Sequence, residues 1–256
     1  MIYTLNLFKL MIHACGVNLL VNTRPLAHTH RLCNIVRRRR YRNTSIKLSS
    51  TKSQLLDPSN NYNMATMPTA TRQPQKDLPL ADSRVFLKNH FNDHSGEQYK
   101  TGWDKLWQAG DFLPWDRMVP SPALPDTLNN HSHVIGSAKL VLPDGTTRRK
   151  RALVPGCGRG VDVMLLQSYG YDVVGLEISA KAVEACETYA KETQDEEMYQ
   201  VKDKELGKGS RKFVVGDFYA DEWLDKAAVK ERVFELIYDY TVSPACTSIT
   251  GMRAVC

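Results

Sequence analysis

Gly156-Cys157-Gly158-Arg159-Gly160 is a Gly-x-Gly-x-Gly loop that directly follows the short apolar run Arg151–Val154. Glycine at 158 lets the backbone turn tightly and come close to a ligand, and the amides of the helix behind such a loop face that ligand. Glu177 lies 19 residues past Gly158, at the end of the next apolar run, Asp172–Glu177. An acid at that place can accept hydrogen bonds from ribose hydroxyls. Strand, glycine loop, helix, strand and acid, in that order, point to a nucleoside-type ligand. The plainer alternative is a tight turn whose glycines serve helix packing, with Glu177 as a solvated strand end.

The regular G-x-G-x-x-G dinucleotide spacing is absent. A second acid, Asp217, ends the next apolar run in Val215-Gly216-Asp217-Phe218. A carboxylate there can bond an adenine amino group, the Phe218 amide a ring nitrogen, and the Phe218 ring can cover the base. That set suits S-adenosylmethionine better than NAD, although Asp is equally at home as a turn acid. Two rivals remain: an NAD-linked oxidoreductase, and a non-catalytic binding fragment that uses a basic arm on nucleic acid.

These residues need elements to hold them. Folded character begins near Leu80. Ser83 is expected to cap a short helix through Phe91, and Thr101 a second helix stopped by Gly110. Pro120–Asn130 reads as a short helix and Pro143-Asp144-Gly145 as a tight turn. Then come a strand Arg151–Val154, a helix Gly160–Tyr169, a strand Asp172–Glu177 and a helix Ala180–Lys191 capped by Ser179. Asp195–Arg211 is a polar connection, followed by a strand Lys212–Val215, a helix Asp221–Lys230 and a strand Phe234–Tyr238. The second of these helices carries an apolar stripe at Ala182, Val183, Cys186, Tyr189 and Ala190. Alternating strands and helices predict an α/β fold with a parallel sheet covered on both faces.

Six motifs occur in register: Trp103-Asp-Lys-Leu-Trp107, Pro114-Trp-Asp116, Leu153-Val-Pro-Gly-Cys-Gly158, Val174-Gly-Leu-Glu-Ile-Ser179, Gly216-Asp-Phe218 and Phe234-Glu-Leu-Ile-Tyr-Asp-Tyr-Thr241. Together they resemble the thiopurine S-methyltransferase superfamily, nearest to its fungal and plant thiol and halide methyltransferases. The resemblance implies a Rossmann-like class I methyltransferase sheet, S-adenosylmethionine as cofactor, and methyl transfer to a small soft nucleophile: a thiol, thiocyanate or a halide. It also implies cofactor contacts at Trp103, Trp107, Trp115, Gly156, Glu177, Asp217, Phe218 and Tyr240. Independently, Trp103 and Trp107 are four apart and share one helix face. An aromatic face suits a sulfonium cation, and it equally suits a core stripe. No catalytic acid or base is assigned, because displacement at a sulfonium by a soft nucleophile needs none. Cys157 reads as a small loop residue, since no paired base is evident.

The resemblance runs from about Leu80 to Thr241. Residues 242–256 then have neither period nor cap, so the sheet is expected to be incomplete after strand four, with Phe234–Tyr238 left as an uncovered edge prone to aggregation. The expected organisation is a disordered basic arm over 1–80, the methyltransferase domain over 81–241 and an unrelated tail over 242–256.

Composition narrows the field. With 42% hydrophobic and 9% aromatic residues the chain can build a core, which excludes disorder throughout. No apolar run reaches the roughly 18 residues of a spanning helix. The net charge of +6 is uneven: residues 1–63 carry +9 and the remainder −3. The basic excess is therefore no sign that the folded part binds nucleic acid. Residues 1–63 are Arg-rich, Ser-containing and acid-poor, as in a mitochondrial transit peptide, with a basic tract at Arg37–Arg40. Alternatively Met64 is the true start. A cytoplasmic monomer with no nucleic-acid or membrane partner is expected, mitochondrial if the arm is a transit peptide. The six cysteines form no C-x-x-C pair, and His28/His30 and His131/His133 lack further ligands nearby. Neither a disulfide framework nor a metal site is expected.

Overall fold

A computed structural model of the chain describes residues 11–14, 17–21, 80–110, 113–229 and 233–240. Two strands, β1 (Met11–Ala14) and β2 (Val17–Val21), pair antiparallel. Helices α1 (Leu80–Phe91), α2 (Glu97–Ala109), α3 (Ala123–Asn130) and α4 (Ser132–Ile135) follow. A small antiparallel pair, β3 (Lys139–Val141) and β4 (Thr147–Arg149), comes next. The rest alternates as β5 (Arg151–Pro155), α5 (Val161–Ser168), β6 (Asp172–Glu177), α6 (Ala180–Thr193), β7 (Arg211–Val215), α7 (Glu222–Ala227) and β8 (Leu236–Asp239).

The main sheet has the order β1-β2-β8-β5-β6-β7. Strands β7, β6, β5 and β8 are parallel; β5, β6 and β8 carry apolar runs because both of their faces are buried, while β7, at the sheet edge, opens with Arg211 and the exposed Lys212 before its buried Phe213 and Val214. Their side chains divide by the two-residue period of a strand. Ala152, Val154, Val173, Leu236 and Tyr238 enter a core with α5 and α6. Leu153, Val174, Leu176, Val214 and Ile237 enter a second core with Trp223, Leu224 and Ala227 of α7. This is the expected Rossmann-like α/β arrangement with helices on both faces. Burying each such Leu, Ile or Val contributes roughly 1.5–3 kcal/mol.

Two boundary readings need correction. The helix ending at Gly110 starts at Glu97, not at Thr101; the Thr101 hydroxyl sits one turn in and donates to the Glu97 carbonyl at 3.0 Å. Ser83 likewise lies inside α1, buried, with the helix already begun at Leu80. A hydroxyl inside a helix can bond the carbonyl four residues back, so Ser and Thr do not mark a helix start on their own. Gly110 does stop α2, in the left-handed conformation with φ 68°. Ser179 caps α6 as expected, its side chain accepting the Ala182 amide at 3.1 Å.

The larger correction concerns the sheet edge. Strand β8 is not uncovered: β2 pairs with it antiparallel, in the register Asn18↔Asp239, Leu19↔Tyr238, Leu20↔Ile237 and Val21↔Leu236. Strand β2, in a segment read from the sequence as part of an arm without structure, thus supplies the missing neighbour. An open parallel strand presents unpaired amides and carbonyls that any extended apolar segment can satisfy. Here the segment comes from more than two hundred residues earlier in the chain. The Arg-rich tract, the candidate start at Met64, His28 and His30, and residues 241–256 lie outside the described residues. None of the described helices is long and apolar enough to cross a membrane.

Candidate functional site

The glycine loop leaves β5 at Pro155 and enters α5 at Val161. Gly158 has φ +54°, and its α-carbon faces the ring of Trp107, 3.7 Å from where a β-carbon would stand. At Gly160, φ is +80° and a β-carbon would lie 2.6 Å from the Phe213 ring. The first therefore serves the approach to the loop and the second the packing of α5 on the sheet.

Glu177, at the C-terminal end of β6, is 8% exposed. Its carboxylate accepts from the Gly158 amide at 3.0 Å and from the Ile178 and Ser179 amides at 2.8 and 3.4 Å. Burial raises its pKa above the ordinary value, and these three amides hold it down. The acid is thus fixed to the glycine loop itself, with one oxygen on Gly158 and the other on the turn into α6.

Three tryptophans close one side. Trp115 meets Trp103 edge-on at 5.2 Å and Trp107 at 6.4 Å between ring centroids. The shared helix face expected of Trp103 and Trp107 is therefore real, and Trp115 lies against both. Trp107 also packs with Leu113 and Ala182 in a small core of its own, so its packing role coexists with its place beside Gly158. Asp104, between the tryptophans, accepts the Ser179 hydroxyl at 2.5 Å and the Lys181 amide at 3.3 Å, which docks α2 on the start of α6.

A cavity of about 200 Å³ lies between Trp115, the glycine loop from Gly156 to Asp162, and Tyr238 and Tyr240 at the end of β8. Most of its charged lining could not be picked out from sequence. Asp116, 8% exposed, takes both an Nε and an Nη2 contact from Arg159 at 2.6 Å, joining the Pro-Trp-Asp turn to the glycine loop. Two residues on, Met118 has φ 61°, a left-handed conformation uncommon outside glycine. It is held there by its amide on Asp116 Oδ1 at 3.3 Å and its carbonyl on the Tyr189 hydroxyl at 2.9 Å. The Pro-Trp-Asp motif and an arginine among glycines were the available signals. Their pairing spans 43 residues, which local patterns do not register.

Asp217 and Phe218 sit apart from this cavity, just past β7. Their strand end is tied to Glu177, whose carbonyl accepts the Gly216 amide at 2.9 Å. Asp217 is exposed and its Oδ1 accepts the Tyr219 amide at 2.9 Å, an Asx-type turn; Phe218 is partly buried against the second core. The structure therefore gathers Trp103, Trp107, Trp115, Gly156, Glu177 and Tyr240 around the glycine loop, with Asp217 and Phe218 one strand over. Cys157 Sγ lies 4.0 Å from Cys186 Sγ. That contact, together with burial, pushes its thiol pKa well up, which keeps it protonated and unsuited to nucleophilic work. Among the described residues no three potential ligands cluster as a metal site would require.

A glycine loop at the end of one parallel strand, an acid at the end of the next and helices on both sheet faces define a Rossmann-like domain of the methyltransferase type. The chain belongs to the thiopurine S-methyltransferase family, which matches residues 99–250. It is 32% identical to "Probable thiol methyltransferase 2" of Arabidopsis thaliana over 173 residues, 68% of this chain and 61% of that protein. It is 34% identical to "Thiocyanate methyltransferase 1" of Brassica oleracea over 142 residues, 55% of this chain and 47% of that protein. The matched part is thus under two thirds of either relative's length. Among solved structures, magnesium protoporphyrin IX methyltransferase from Synechocystis PCC 6803 with bound SAH aligns at 16% identity and a TM-score of 0.25, covering 52% of this chain and 51% of that one.

Proposed function

We propose that the chain binds S-adenosylmethionine and serves transfer of its methyl group to a small soft nucleophile, a thiol, thiocyanate or a halide. The observation that carries this reading is the direct bond from the Gly158 amide to Glu177, with the tryptophan cluster packed beside the same loop. The names of the two plant relatives support the acceptor class.

The residues fit the cofactor. Gly158, with no side chain, keeps the surface beside Trp107 open. Glu177, anchored by backbone amides at the end of β6, stands where an acid can accept from ribose hydroxyls. The electron-rich faces of Trp103 and Trp115 are only partly buried and can face a sulfonium. When bound, the cofactor supplies an electrophilic methyl group. The chain's own share is to align donor and acceptor and to exclude water. Trp107 and Leu113 keep the floor of the aromatic wall dry. The Arg159–Asp116 pair holds the turn carrying Trp115 against the loop. A thiolate, thiocyanate or halide ion needs no proton removed at the moment of attack.

Titration calorimetry with S-adenosylhomocysteine and with NAD is the test, followed by methyl transfer to small thiols, thiocyanate and iodide. Binding of S-adenosylhomocysteine but not NAD is expected. Preference for NAD would overturn the reading.

A further inference from the structure

A second cavity lies away from the glycine loop, at the opposite end of the sheet. It encloses about 350 Å³, against about 200 Å³ beside the loop, a size that small-molecule sites share. It opens between the α3–α4 pair, the turn from α5 into β6, and Lys202 and Asp203 beyond α6. The six residues of β6 separate it from the end of the strand at Glu177, a span of about 17 Å. Leu128 of α3, Ile135 of α4, Ala138 and Tyr171 form its buried floor. All four belong to the first core.

The side-chain acceptors around this cavity are engaged in the fold. Asn129 Oδ1 accepts the Tyr169 hydroxyl at 2.9 Å, and Ser137 Oγ accepts the Lys139 amide at 3.1 Å. Asp203 Oδ1 accepts the Glu205 and Leu206 amides at 3.0 and 3.1 Å, which anchors that carboxylate on its own loop. Three donors are not engaged. Tyr171 is only 2% exposed, yet its hydroxyl makes no hydrogen bond among the described residues. Burial pushes its pKa far up, so it stays protonated and a donor. The Ser132 hydroxyl and the Lys202 ammonium, on the exposed rim, make no hydrogen bond among the described residues either. A buried phenol without a partner is costly, and an open cavity lets a ligand supply one.

We propose that this cavity is a second ligand site, for a small organic acid with an apolar body, of the aryl carboxylate class. The body covers Leu128, Ile135 and Ala138, the carboxylate accepts from the Tyr171 hydroxyl, and Lys202 supplies the counter-charge. Unengaged donors over an apolar floor select a ligand that brings acceptors. An ammonium ligand would set donors against donors and a second cation beside Lys202. A diphosphate or triphosphate would bring several charges to one cation. None of the residues lining this cavity lines the one beside the glycine loop, so the site does not depend on the cofactor reading.

Benzoate and benzamide, alike in shape and different in charge, are the probes. Each is titrated calorimetrically into the 256-residue chain and into its Tyr171→Phe and Lys202→Gln variants, with thermal melting as a second readout. Benzoate should bind the unaltered chain with a Kd of about 1 mM or tighter, and benzamide about tenfold more weakly. Tyr171→Phe keeps the ring and removes only the hydroxyl, and it should weaken benzoate about tenfold. Lys202→Gln should weaken benzoate by about fivefold or more and leave benzamide within about twofold. If Tyr171→Phe does not fold, the exposed Lys202→Gln decides the matter alone. Three results would each overturn the proposal and leave the cavity to water. They are no stabilisation of the unaltered chain at about 10 mM benzoate, benzamide binding as tightly as benzoate, and a benzoate affinity unmoved by both substitutions.

Discussion

The Asp104 carboxylate accepts the Ser179 hydroxyl at 2.5 Å while that same hydroxyl oxygen accepts the Ala182 amide at 3.1 Å. A helix cap is therefore shared between two elements. Ser179 closes the start of α6, two residues after Glu177, and Asp104 ties it to α2 between the two tryptophans. This chain of bonds, with the packing of Trp107 on Ala182, fixes the aromatic wall relative to the acid at the end of β6.

Asp104→Ala should lower stability by about 1–2 kcal/mol, since it removes a charged partner from a cap that is itself worth about 1 kcal/mol. Urea denaturation followed by tryptophan fluorescence measures it. A midpoint unchanged from the parent would show that α2 docks without this contact.

Glu177→Ala should weaken S-adenosylhomocysteine binding by about 1.5–3 kcal/mol, the range for lost hydrogen bonds to a charged group. Calorimetry again reads the effect. Equal affinity in the variant would return Glu177 to the role of a loop anchor for Gly158 and nothing more.

The parts of this site legible in the sequence are those governed by neighbours. Glu177 ends its strand and Ser179 caps its helix at the expected positions, because strand period and capping act over three or four residues. Gly110 stops α2 for the same reason. Thr101 misled because a hydroxyl bonds equally well inside a helix, here to Glu97. The Asp116–Arg159 pair and the Ser121–Asp162 bond join residues 43 and 41 apart. Nothing in either segment alone distinguishes Asp162 from an ordinary acid in a first helical turn. The pairing of β2 with β8 is further from local control still.

The displaced titration of Asp162 gives a stability prediction of definite sign. An unfolded Asp titrates near 3.9, and in the fold this one is pushed up to about 7. Between those values the native state binds more protons than the unfolded chain, so stability falls as pH rises from about 4 to about 7 and stays lower above. Asp162→Asn removes the group responsible. Discounted for partial exposure to the cavity, the variant should be about 1–3 kcal/mol more stable than the parent at pH 8 and no more stable at pH 4. Melting curves at the two pH values decide it; an equal shift at both would point to packing instead of charge.

Deleting residues 1–21 should strip β2 from β8, cost about 2–4 kcal/mol on a scale of roughly 1 kcal/mol per backbone hydrogen bond, and promote self-association through the bared strand. Size-exclusion chromatography and thermal melting of the shortened chain provide the check. If these residues served only as a removable leader, the shortened chain would elute with the parent's oligomeric state and melt where the parent does.

The pairing of β2 with β8 also imposes a timetable on synthesis. Residues 17–21 leave the ribosome early, but their partners at 236–239 are made more than two hundred residues later. At about 5–20 residues per second that interval is roughly ten to forty seconds. Throughout it, an apolar segment waits beside an incomplete domain, exposed to holding chaperones and to neighbouring nascent chains on the same message. Among the described strands, β8, the last to be translated, is thus the one that ends the exposure of β2.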